Sequence, residues 1–118
     1  MNETQITNML SYFDQKIAAC KADAEALALD DRQDEAVFSK VRLNIFDVFR
    51  TVFNVAANQV DMDGFFLAKL DEIPRSWQTS MELAQQHGNT QKAHLEQIKL
   101  DTAAQIRSAF DSIREVRP

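Results

Sequence analysis

The stretch FSKVRLNIFDVFRTVFNVAANQV, residues 38–60, decides the fold. Placed at about 100° per residue, Phe38, Val41, Ile45, Phe46, Val48, Phe49, Val52, Phe53, Val55, Ala56 and Val60 fill a sector of roughly 200°. A surface helix buries a stripe nearer 100° wide, so this helix must have neighbours on at least two sides. It reads as the centre of an all-α fold.

The flanking sequence supplies the neighbours. Before it, Ile6, Leu10, Phe13, Ile17, Cys20, Ala24 and Leu27 follow at steps of four and three, the seam of a helix from about Glu3 to Leu29. Asn2 and Gln5 stand where a capping box would start it. The run 30–35 breaks the seam, with Asp30 and Gln33 fitting a second capping pair, and helix two then runs to about Gln59. No glycine marks that turn, so a single unbroken helix is the alternative. Asp61-Met62-Asp63-Gly64 is the next turn, with Asp63 as cap. Helix three carries Phe66, Leu70, Ile73, Trp77, Met81 and Ala84 on one face, kinked or split at Pro74. His87-Gly88-Asn89-Thr90 is the last turn, Gly88 suiting a left-handed residue and Asn89 or Thr90 the cap. Helix four places Leu95, Ile98, Ile106, Ala109, Phe110, Ile113 and Val116 together, with Arg107, Arg114 and Arg117 towards its end.

Four matched helices joined by short turns predict one domain over 1–118. They are expected as long antiparallel helices in an up-down-up-down bundle or as two stacked helical hairpins. Trp77, Gly88 and Ala93 stand at offsets that resemble fragments of the tetratricopeptide repeat, and 34–36 echoes them in the first hairpin. The resemblance implies two similar hairpins and no more, because the helices are about twice that repeat's length and its terminal proline is missing.

The totals bound the function. A net charge of −5 with no run of Lys or Arg argues against nucleic acid. No stretch approaches ~20 uninterrupted apolar residues, so no membrane span is expected. Cys20 is the single cysteine and forms no internal disulfide, and the start lacks a secretion leader; the expected compartment is the cytoplasm.

Chemical motifs are sparse. Asp61, Asp63 and Gly64 match interior positions of a calcium loop, but Leu70 stands where its bidentate glutamate belongs. His94 has Gln91, not glutamate, three residues before it, so the bundle metal motif is absent. Cys20 lies on an apolar seam, and no serine sits in a glycine-rich elbow. No cofactor and no catalytic residue is expected.

Two features of helix two stand out. Lys40, Asn44, Asp47, Thr51, Asn54 and Asn58 form a polar stripe of mostly short, weakly charged side chains, which fits a solvent face or a partly covered contact. Arg42 projects onto the apolar sector, where it must snorkel or meet a carboxylate such as Asp23 or Asp101. The sequence therefore points to a non-catalytic protein-interaction or structural module with an unknown protein partner. One alternative is a small-molecule or peptide-binding regulator with a pocket between helices two and three, near Phe46, Phe49, Phe53 and Trp77. Another is an enzyme whose site forms between subunits. Leu29, Leu43, Phe65, Leu67, Leu83 and Leu100 lie off the main faces, which favours a homodimer.

Overall fold

The computed structural model describes residues 1–115 and, among them, holds five α-helices and no strand. These are α1 (Glu3–Leu29), α2 (Gln33–Ala56), α3 (Met62–Glu72), α4 (Pro74–Gln86) and α5 (Thr90–Glu115). Val116 and Arg117, assigned above to helix four, lie outside the described residues. The chain is all-α, and helix three is split at Pro74. Ile73 ends α3 and begins α4 in helical conformation, so proline at the first position of α4 removes one hydrogen bond without ending the rod.

The first and last turns share one geometry. After α1, Asp31 adopts φ 57°, its N–H donates to the Ala28 carbonyl, and the Arg32 N–H donates to Leu27. After α4, Gly88 adopts φ 69°, its N–H donates to Gln85, and the Asn89 N–H donates to Ala84. Both are Schellman closures, in which a left-handed residue lets two amides return to the last turn of the helix. The missing glycine at the first turn was therefore no barrier, because aspartate tolerates the left-handed region better than most residues.

Asp30 does not cap α2, contrary to the sequence expectation. It closes α1, and Arg32 precedes α2 with no side-chain cap bond. Replacing Asp31 with glycine should remove the strain at φ 57° and raise stability by up to about 1 kcal/mol, seen as a higher urea midpoint with unchanged slope. A lower midpoint would contradict this reading of the turn.

Two further boundaries differ from expectation. Helix α2 stops at Ala56, where the Asn58 and Gln59 N–H groups donate to the Val55 and Ala56 carbonyls three residues back and tighten the chain into a turn. Val60 thus leaves the apolar sector and is fully exposed. Asp61, not Asp63, caps α3, its Oδ1 accepting from the Gly64 N–H at 3.1 Å. A Cβ on Gly64 would sit 2.1 Å from the Asp61 carboxylate, which would have to turn aside to admit a larger residue. The capping box of Asn2 and Gln5 forms as expected.

Packing follows from α2, which touches α1, α3 and α5. Its buried side carries Ile45, Phe46, Phe49, Phe53 and Ala56. Phe66 of α3 lies 5.2 Å from Phe53 and 4.8 Å from Phe110 of α5, measured between ring centres, and Phe13 of α1 lies 6.0 Å from Phe53. These rings are completely buried, and together they make one aromatic core supplied by four helices. The early part of α1 lies beside the late part of α2, where Arg50 donates to Asp14 at 2.8 Å.

Candidate functional site

Helix α2 has two surfaces, and the candidate site is the outer one. Asn44, Asp47, Thr51, Asn54 and Asn58 are all exposed, as is Lys40. None of the other described residues covers this stripe. Thr51 donates to the Asp47 carbonyl at 3.0 Å and Asn58 to the Asn54 carbonyl, so two of these side chains are satisfied locally. Beside the stripe stand three exposed valines, Val37, Val48 and Val55, at 44%, 42% and 47% exposure, of which sequence reasoning had placed Val48 and Val55 in the buried sector. The apolar arc of α2 is therefore wider than the arc that its neighbours bury.

Arg42 forms neither expected ion pair. It is half-buried, and among the described residues no carboxylate lies within 4.0 Å of its guanidinium. It lines an open cleft between α1 and α2 with Asp23, Leu27, Asp30, Phe38 and Ser39. Asp101 lies on a different groove, between α1 and α5, beside Tyr12 and Lys16.

The pocket expected near Phe46, Phe49, Phe53 and Trp77 is filled by those residues themselves. The three phenylalanines are buried, and Trp77 packs edge-on to Phe49 with ring centres 6.3 Å apart. Trp77 is only half-buried, at the margin of the core rather than its centre. No family model, curated protein or solved structure matches this chain.

Several chemical candidates are committed elsewhere. Asp61 caps α3, and Asp63 accepts from the Met1 amino group and pairs with Arg114, both at 3.1 Å. His94 is exposed with its ring edge-on to Phe38 at 4.8 Å, and His87 closes α4. Burial pushes the Cys20 thiol up from its ordinary range, with nearby Asp23 adding to the rise and Arg42 opposing it. A protonated, buried thiol is a poor nucleophile.

Three polar residues that sequence reasoning missed lie inside the fold, of which Thr102 is satisfied by donating to the Ile98 carbonyl at 2.7 Å. Ser39 is buried on α2 and opens on the Arg42 cleft. Glu96 of α5 is 7% exposed; Lys99 donates to its Oε1 at 3.1 Å, and its Oε2 has no hydrogen-bond partner among the described residues. The sequence held a signal for Glu96, because Ala93, Leu100 and Ala103 share its side of α5 at steps of three and four. That second contact face serves a helix that touches both hairpins.

Proposed function

We propose that the chain is a non-catalytic protein-interaction module, an up-down-up-down helical bundle of the cytoplasm that presents the outer face of α2 to another protein chain. One observation carries this: the exposed valines at 37, 48 and 55 lie beside the uncharged polar side chains Asn44, Thr51 and Asn54 on a single helix. A freely solvated helix face is ordinarily filled with Glu, Lys and Gln, which have better helix propensity than valine. Apolar area edged by short hydrogen-bonding side chains matches the make-up of protein contacts, whose cores are depleted of charge.

A photo-reactive residue introduced at Thr51 should capture protein in the native cell, while the same residue at exposed Gln97 on α5 should not. Absence of any adduct at Thr51 would remove the reading.

A second reading is favoured by one observation, the unpaired, half-buried Arg42 in its cleft with Ser39. It makes the chain a binder of a small anionic molecule between α1 and α2, in place of the aromatic pocket expected between helices two and three. Native mass spectrometry of freshly purified protein would reveal such a molecule as added mass that Arg42→Ala abolishes.

A further inference from the structure

The exposed residues of α2 have a period. Val37, Val41, Asn44, Val48, Thr51 and Val55 succeed one another at steps of 4, 3, 4, 3 and 4, the spacing of a coiled-coil seam. All six are exposed or half-buried, so the seam faces outward along about five turns, roughly 27 Å at 1.5 Å per residue. Four are valine, which is stiff at χ1 and less suited to an isolated helix surface than to packing against a neighbour. The fifth seam position is Thr51, also β-branched, and the sixth is Asn44.

Charge beside the seam is self-complementary. Lys40 and Asp47, seven residues apart, occupy the same flanking position, and across the shallow hollow Lys21 and Glu25 of α1 repeat the balance. The four charges at this hollow thus cancel, in a chain whose net charge is −5. Two copies would repel over most of their surface and least here. In an antiparallel pair of helices, flanking residues of this type meet their own kind, which brings Lys40 of each copy towards Asp47 of the other.

The size of the molecule agrees. Its accessible surface is 7246 Å², whereas a compact monomer of this mass exposes about 6,500 Å². Its radius of gyration is 15.7 Å, against roughly 13.5 Å for a compact chain of this length, and its shortest dimension is 21 Å, about two helix diameters. The excess surface is on the order of the ~800 Å² that each partner contributes to a stable interface.

We infer that a second copy of this chain occupies the outer face of α2, the two α2 helices packing antiparallel about the middle of the seam, where Val37 and Val41 of each copy meet Val48 and Asn44 of the other and Lys40 meets Asp47. The inference rests on the interaction reading above and names its partner. It also moves the contact away from the residues that suggested a dimer from sequence: of those, Leu43, Phe65 and Leu67 pack against the core and only Leu29 and Leu83 are freely exposed.

Sedimentation of the full chain over a hundredfold range of concentration tests this. Wild type should approach twice the 13.5 kDa chain mass, and Val48→Lys should sediment as a monomer while keeping its helical circular dichroism. Leu83→Lys, at an exposed apolar residue off the seam, should still dimerise. Lys40→Asp should weaken dimerisation at least tenfold, and adding Asp47→Lys should restore it, because both crossed pairs are then rebuilt with reversed sign. A monomeric wild type, a dimer indifferent to Val48→Lys, or no rescue by the second charge change would overturn the inference. Capture of other proteins at Thr51 by a chain that sediments as a monomer would leave the interaction reading standing and remove self-pairing alone.

Discussion

Phe66→Ala is expected to destabilise the fold by about 3–5 kcal/mol, a large share of the roughly 5–15 kcal/mol that holds a domain together. Phe66 is completely buried, and its ring meets Phe49 and Phe53 of α2 and Phe110 of α5 at centre distances of 6.4, 5.2 and 4.8 Å. Truncation would lose the transfer energy of the ring and leave a cavity that three helices cannot close together. Trp77→Ala should cost distinctly less, despite the larger side chain, because Trp77 is half-buried and shares only its edge with Phe49. Urea unfolding of both variants decides the order. A Trp77→Ala loss equal to or greater than that of Phe66→Ala would place the core elsewhere.

The second large effect concerns Glu96. Lys99→Met is expected to cost about 2–3 kcal/mol, since Glu96 would then keep a buried carboxylate with neither oxygen partnered. Lys99 is itself 29% exposed, which places the effect below that of a fully enclosed pair. Adding Glu96→Leu should recover the loss and match or exceed wild-type stability, because the charge and its desolvation cost disappear together. Equal losses in the single and double variants would mean that Lys99 acts through packing of its stem and not through its charge.

The sequence revealed the fold more fully than the site, and particular residues show why. The limits of α1, its capping box, the split at Pro74 and the Gly88–Asn89 turn were all legible, because each rests on local chemistry spanning a few residues. The first turn was read with the wrong cap, since aspartate in a left-handed conformation carries no sequence mark comparable to glycine. Val48 and Val55 of α2 were read as buried because hydrophobicity and period identify an apolar face without saying how much of it neighbours will cover. That depends on where α1, α3 and α5 lie, a tertiary fact. Met9, completely buried yet absent from the expected seam of α1, was missed for the same reason. Arg42 was expected to reach solvent along its stem or to find a carboxylate, and the height of Asp23 along α1 was compatible with the second. Whether the two side chains meet across an open cleft depends on tenths of a turn that spacing cannot resolve.

The account stands on α2 being a helix whose inner side is the aromatic core and whose outer side is free. Through-space nuclear Overhauser contacts from the Phe66 ring test this most directly. The structure predicts contacts from Phe66 to the rings of Phe53 and Phe110 together, from separate helices, and none from Phe66 to the methyls of Val48 or Val55. Contacts from Phe66 to those valine methyls, or none to Phe110, would mean that α2 is rotated and that the face proposed for interaction is part of the core.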